Sequence, residues 1–327
     1  MIGRNDATLA EIQVSATQFV KYRTATLATT LQWPRTVVYL QALGCSGMFS
    51  YPPTATNPLG AIEHVMKSLV CEAGRIFVGT AGWSLPHAER GRFAPEGTHL
   101  ARYAQALTGV EINSSFYRPH ATTVYSRWAA ATPEGFRFSV KMPRTITHEK
   151  RLLDCEELLC TFLDQTQGLG DRLGCILIQL PPSFAYDASL AGAFFEMFRA
   201  IYDGALALEP RHASWFADDA AELLADCNVG RVAADPARVP AAAAPGGTPD
   251  LVYFRLHGSP RVYWSRYEDQ FLDKLCAQLV SAARLAKAVW CIFDNTASGA
   301  ATSDALGVRE RLAEGMNRWD AVTESIA

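Results

Sequence analysis

The sequence has no uninterrupted apolar run approaching the ~18 residues of a membrane-spanning helix, so no membrane span is expected. It also has no C-x-x-C pair. Its eight cysteines, at positions 45, 71, 155, 160, 175, 227, 276 and 291, are scattered and fall mostly inside apolar segments. That spacing suits neither a zinc site nor a disulfide framework, and it predicts buried free thiols in a reducing cytoplasm. Neither sign of charge is in marked excess. Thirty Lys and Arg against thirty-three Asp and Glu leave a net charge of -3, which gives no general support to nucleic-acid binding, although a local basic patch stays open. Arg4, Asp6 and Glu11 with no compact apolar core behind them make a poor signal peptide.

What is present is a chain of 327 residues with 49% hydrophobic side chains, enough for one large domain or two modest ones. The first 70 residues are rich in Thr and Ala, weakly periodic and broken by Tyr51-Pro52-Pro53, and they read as an irregular extension. From residue 75 to about 318 strand and helix patterns alternate, with a short tail after them. Strands are predicted at 76–80, 110–116, 136–141, 174–180, 205–209, 229–235, 251–257 and 288–294. Helices are predicted between them at 97–107, 122–131, 152–163, 190–201, 217–226 and 268–284, and a last one runs from Ser303 toward Glu314. Thr98 is placed to cap the first helix and Gly109 to stop it. The sixth crossover, over 240–249, is Ala, Pro and Gly where a helix would stand. Eight strands with helical crossovers predict a TIM-type (β/α)8 barrel, with a doubly wound open sheet as the alternative. The first strand-to-helix junction lacks G-x-G-x-x-G, so no nucleotide-cofactor motif is available.

In such a barrel the site lies at the carboxyl ends of the strands. Those ends are polar here: Trp83 after the first strand, Glu111, Asn113, Tyr117 and Arg118 at the second, Lys141, Arg144 and His148 at the third, and Gln179 at the fourth. Glu209, Arg211, His212 and Trp215 follow at the fifth, Asp235 at the sixth, Arg255 and His257 at the seventh, and Asp294 and Asn295 at the eighth. A charge in an apolar strand is costly unless paired, so these groups either satisfy one another or hold a ligand.

Eight ordered blocks carry a resemblance. They are Gly79-Thr80-Ala81-Gly82-Trp83, Glu111-Ile112-Asn113 with Phe116-Tyr117-Arg118, Lys141-Met142-Pro143, Ile146-Thr147-His148, Gln179-Leu180-Pro181-Pro182-Ser183-Phe184, Glu209-Pro210-Arg211-His212 with Ser214-Trp215, Arg255-Leu256-His257-Gly258, and Phe293-Asp294-Asn295. Together they resemble the signature of the YecE-like family, domain of unknown function 72, from residue 75 to the C-terminal helix. The resemblance implies a TIM-type barrel and assigns no reaction. Ala81 stands where a serine is common in that family, and the first 70 residues have no counterpart in it.

The residues themselves suggest an enzyme, a hydrolase or lyase, acting on an anionic, phosphate-bearing small molecule or nucleotide-like group. Glu111, Glu209 and His257 are the catalytic candidates. Lys141, Arg211 and Arg255 are the charge clamps, and Trp83, Asn113, Tyr117, Arg118, His148, Gln179, His212, Trp215 and Asn295 are further substrate-binding candidates. A metal-dependent hydrolase or nuclease using Glu209, His212, Asp235 and His257 is a second reading, disfavoured by the absence of H-x-H and H-E-x-x-H and by the nearby cations. A non-catalytic ligand or nucleic-acid binder is a third. The sequence does not specify an oligomeric state.

Overall fold

The computed structural model of the chain describes the backbone of four strands between residues 8 and 51 and all of residues 76–326, with side chains for 76–315. By contacts the chain divides into two units, residues 1–71 with 315–327, and residues 72–314.

In the first unit, β1 (Thr8–Ser15), β2 (Gln18–Leu27), β3 (Arg35–Ala42) and β4 (Cys45–Tyr51) pair antiparallel in sequential order. This differs from the irregular segment that the weak periodicity suggests. The strands carry many β-branched and aromatic residues, as in Thr36-Val37-Val38-Tyr39, so local β-propensity is present, while polar–apolar alternation is confined to short stretches such as Glu11-Ile12-Gln13-Val14-Ser15.

The second unit alternates strand and helix. Its strands are β5 (Ile76–Thr80), β6 (Gly109–Ile112), β7 (Arg137–Lys141), β8 (Leu173–Gln179), β9 (Leu206–Glu209), β10 (Val229–Arg231), β11 (Ala233–Asp235), β12 (Gly246–Gly247), β13 (Leu251–Leu256) and β14 (Ala288–Phe293). The helices are α1 (His99–Ala106), α2 (Thr122–Ala130), α3 (Glu156–Thr166), α4 (Ala188–Ile201), α5 (Asp218–Asp226), α6 (Asp269–Ala283) and, beginning in this unit, α7 (Ala300–Ile326), which starts before Ser303 and runs past the end expected near Glu314. Thr98 caps α1 as expected, accepting the Ala101 N–H. The sixth crossover holds only a short 3-10 turn, Pro240–Ala243, and β12 pairs antiparallel with β10.

Two sheets result, in the orders β12-β10-β9-β8-β7-β6 and β11-β13-β14-β5, parallel except for β12. An isolated parallel bridge joins Ala81 to Glu111, and β10 and β11 are separated by Val232 alone. Gly79 is required where β5 meets β6: a Cβ there would lie 1.9 Å from the Gly109 carbonyl oxygen.

Strand alternation sorts the buried side chains into two clusters. Val78, Ile112, Val140, Ile178, Leu208, Leu256 and Phe293 belong to the larger one, together with α1–α6 residues such as Tyr103, Phe195 and Leu272. Cys175, Leu177, Ala207, Tyr253, Trp290 and Ile292, from the opposite strand face, form the smaller. Of the six described cysteines, all free, Cys155, Cys175 and Cys291 are buried as expected, whereas Cys160 is exposed. Among the described residues no helix is long and apolar enough to cross a membrane.

Candidate functional site

The strand face that carries the smaller cluster also carries the site. Residues two apart on a strand share a face, so Tyr253 and Arg255 of β13 project together, as do Ser139 and Lys141 of β7. Arg255, 1% exposed, is the hub. Its Nε and Nη2 donate to Oε2 and Oε1 of Glu111 at 2.9 and 2.8 Å, and its Nη1 donates to Glu209 Oε2 at 3.0 Å. Nη2 also lies 3.0 Å from Asp294 Oδ2. The Tyr253 hydroxyl is 3.1 Å from Glu111 Oε2 and 3.0 Å from Ser139 Oγ. Three buried carboxylates are thus held around one guanidinium, in the bidentate and shared geometry that offsets part of the desolvation cost.

His257 bridges two of those acids, with Nε2 3.1 Å from Glu209 Oε1 and Nδ1 3.1 Å from Asp294 Oδ2. A ring facing a carboxylate on each side donates from both nitrogens, which is the imidazolium form. Burial alone would lower the His257 pKa, but Glu209 and Asp294 outweigh it and raise it. Burial would raise the Glu209 carboxyl, yet Arg255, His257 and Arg211 hold it well below the usual range. Asp294 is likewise lowered by Arg255 and His257 against its burial. Gln179 Nε2 donates to Glu209 Oε2 at 2.7 Å, and Arg211 donates from Nε to Glu209 Oε1 at 3.3 Å and from Nη2 to the Tyr263 hydroxyl at 3.4 Å.

Lys141 differs from the rest. It is 5% exposed, yet among the described residues its Nζ has no hydrogen bond or ion pair, only the Phe116 ring 4.1 Å away. Burial, with Arg255 adding to it, pushes its pKa down to about 8, against the pull of Glu111, Glu209 and Asp294. Glu111, Glu209 and Asp294 are already matched in charge by Arg255, Arg211 and protonated His257, so Lys141 is the surplus cation.

Beside the network lies a cavity of about 190 Å³ whose wall includes Glu209, Arg211, Pro236, Arg238, His257 and Tyr263. Tyr263 is held there at φ 66°, an uncommon conformation for a bulky side chain, with its N–H bonded to the His257 carbonyl.

Glu111, Lys141, Gln179, Glu209, Arg211, Arg255 and His257 are therefore brought together as expected from the strand ends. His148 stands near them: burial, with Lys141, Arg144 and Arg211 adding to it, lowers its pKa. Others are placed differently. Arg255 is used up on three carboxylates and is an internal counter-ion rather than a clamp for ligand. Trp215 is fully buried, donates from Nε1 to the Phe184 carbonyl and is not part of the cavity wall described above. His212 caps the turn Ala213–Phe216, accepting the Ser214 N–H on Nδ1. Trp83 packs edge-on against Trp128 of α2, with ring centroids 5.0 Å apart. Asn295 donates to Asp304 Oδ2 and the Ser265 carbonyl, both at 2.8 Å, and anchors that loop. Asn113 is half-buried with Oδ1 unpaired among the described residues, and Tyr117 and Arg118 are exposed.

The alternative metal set is not assembled. Asp235 accepts from the Tyr267 hydroxyl at 2.9 Å, His212 is a cap, and among the described residues no three His, Cys, Asp or Glu side chains are grouped to hold an ion. Asp294, one of the polar strand-end groups, joins the site through Arg255 and His257, and Tyr253 belongs to it although the strand ends did not point to it. Tyr253 is legible in retrospect from its place two residues before Arg255 in the same strand.

These pairings predict a pH dependence. Stability from the Glu209 and Asp294 carboxylates is fully present above about pH 4 and is lost as pH falls through their depressed folded pKa values. The His257 contribution has the opposite sign: it is fully present below about pH 6.5 and is lost as pH rises through its raised folded value. The urea midpoint is expected to fall steeply below about pH 4, and a flat midpoint down to about pH 2.5 would contradict the carboxylate pairings.

Parallel strands with helical crossovers define a mixed α/β protein, and its polar network lies at the carboxyl ends of the strands. The chain belongs to the protein family of unknown function DUF72, whose model matches residues 77–325. It is 35% identical over 109 residues to the UPF0759 protein YecE of Escherichia coli K12, covering 33% of this chain and 39% of YecE. It is 28% identical over 151 residues to the UPF0759 protein YunF of Bacillus subtilis 168, covering 43% and 52%. The aligned stretches thus span between two-fifths and about half of these relatives' lengths. Crystal structures of DUF72 family proteins are similar in fold. That of EF0366 from Enterococcus faecalis V583 matches with TM-score 0.62 at 23% identity, over 73% of this chain and 95% of its own. That of TM1631 from Thermotoga maritima MSB8 matches with TM-score 0.60 at 26% identity, over 73% and 99%.

Proposed function

We propose that this chain is an enzyme of the hydrolase or lyase type that transfers a proton on a small anionic, phosphate-bearing molecule at the carboxyl ends of a closed TIM-type (β/α)8 barrel. Closure is supported by the Ala81–Glu111 bridge, reinforced by the Gly82 N–H donating to the Glu111 carbonyl at 2.8 Å. It is supported too by the Val232 N–H donating to the Leu208 carbonyl at 2.9 Å where β10 passes into β11. The smaller apolar cluster is then the layered side-chain filling of the barrel.

The observation that carries the functional reading is His257, held between Glu209 and Asp294 on the wall of the cavity that Arg211 also lines. The Nε2 proton is shared with Glu209, which also lines the cavity, so the His257–Glu209 pair is the proton donor when an incoming group displaces Glu209 from Nε2, while Asp294 holds the ring. Arg211 uses Nε and Nη2 on the protein and, among the described residues, leaves Nη1 for an incoming oxygen. The free thiols of the described cysteines fit a reducing, cytoplasmic setting.

Calorimetric titration with inorganic phosphate tests the reading. The wild type is expected to bind it, and Arg211→Ala is expected to weaken binding by roughly tenfold or more, the loss of a charge-assisted contact, while keeping its circular dichroism and melting transition. If the wild type takes up no phosphate or sulfate and Arg211→Ala unfolds, Arg211 is a counter-ion of Glu209 and the enzyme reading loses its main support.

A further inference from the structure

We propose that Lys141 is a covalent amine: its Nζ condenses with an aldehyde or ketone that carries a phosphate or carboxylate group, forming an imine at the end of β7. The inference deepens the proposed function, on whose anion site it rests, by naming the substrate class as an anionic carbonyl compound.

The geometry singles this residue out. The other buried charges of the network each have a partner within hydrogen-bond reach, and Lys141 has none among the described residues. A lysine kept to balance charge would be expected to touch one of the three carboxylates, yet those are engaged by Arg255, His257, Arg211 and Gln179. Composition sharpens the point. The chain has six lysines, at 21, 67, 141, 150, 274 and 287, against twenty-four arginines. Within the network, the buried cation that is left unpaired is one of those few lysines, the type that can become a neutral nucleophile, whereas a guanidinium, such as that of the likewise unpaired Arg231 outside it, stays protonated. Desolvation next to a second cation, here Arg255, is the environment that frees a lysine amine at neutral pH. The amine sits beside Phe116, with Arg211 and His148 in the same electrostatic neighbourhood to receive an anionic group.

The step balances without a co-reactant. Nζ adds to the carbonyl carbon, a C–N bond forms and the carbonyl π pair goes to oxygen. Two protons of the original ammonium leave with that oxygen as water, and the product is a protonated imine. A carbonyl compound bound in this way loses electron density at the adjacent carbon, the activation a lyase or a proton-abstracting enzyme uses.

Borohydride trapping of the full chain is the test. The protein is incubated at neutral pH with pyruvate or glycolaldehyde phosphate, sodium borohydride is added to reduce the C=N bond to a secondary amine, and the adduct is located by peptide mass spectrometry. An amine titrating near 8 holds roughly two hundredfold more neutral form at pH 7 than one near 10.4, so Lys141 is expected to be labelled about tenfold or more above the exposed Lys150, Lys274 and Lys287, allowing for restricted access. Lys141→Arg is expected to abolish the adduct while retaining phosphate binding, and Lys150→Arg to leave it unchanged. Labelling spread over the exposed lysines, or absent while phosphate still binds, overturns the covalent role and leaves the anion site standing. Loss of both readouts in the wild type overturns both. The site mapping is made on the wild type, so the answer does not depend on a variant folding.

Discussion

Replacing Arg255 with methionine is expected to destabilise the second unit by about 3–5 kcal/mol, the cost of breaking a buried ion pair from one side. The guanidinium is 1% exposed and holds Glu111, Glu209 and Asp294 at 2.8–3.0 Å. Without it Glu111, fully buried, keeps only the Tyr253 hydroxyl as partner, and Glu209 and Asp294 share His257, with Arg211 and Gln179 on Glu209. Methionine fills part of the volume but supplies no charge, so the carboxylates must protonate or draw in water. Urea unfolding at pH 7 measures the loss. Combining Arg255→Met with Glu111→Gln is expected to recover part of it, because one unpaired charge is removed with the other. A loss below about 1 kcal/mol, with no coupling in the double variant, would show that the network is not the electrostatic hub described above.

Lys141 is expected to behave in the opposite way: Lys141→Met should stabilise the protein by about 2 kcal/mol at pH 7. A buried amine titrating near 8, rather than near 10.4 as in the unfolded chain, loses roughly 3 kcal/mol of folding free energy while protonated. Surrender of the contact with the Phe116 ring returns part of that gain. The linkage gives the pH signature. Between about pH 8 and 10.4 the unfolded state binds more protons at this site, so wild-type stability rises with pH relative to the variant and the two converge above that window. Equal stability of the two proteins from pH 6 to 11 would show that Lys141 is no burden on the fold. A gain in stability is what is expected on deleting a group retained for its chemistry, and a loss is what is expected on deleting a packing residue.

The two residues illustrate what could be read without coordinates. Both stand out in the sequence because a charge at the end of an apolar strand is costly. Their roles are opposite, and nothing local distinguishes them. Arg255 meets Glu111 across 144 positions of chain, and Lys141 is left unpaired because carboxylates from three other strands are engaged elsewhere. The same holds for His212 and Trp215. Next to Glu209 and Arg211 they look like ligand-binding residues, but one caps a turn and the other is buried against the Phe184 carbonyl.

The sequence by itself determined the alternation of strands and helices from residue 76 onward, because period-two and period-3.6 burial is written into local pattern. The first strand, Ile76–Thr80, the Thr98 cap and the helix-poor sixth crossover are all read directly. Tertiary structure decided where elements stop. The strand expected to reach Phe116 ends at Ile112, because Ser115 turns back to bond the Ile112 and Lys141 carbonyls. The helix expected from Leu152 starts at Glu156, since Arg151, Leu152 and Asp154 adopt positive φ. It also decided the site. Chemistry at the strand ends is visible residue by residue, but which groups neutralise one another depends on distances between strands far apart in sequence, and those exist only once the sheets have formed.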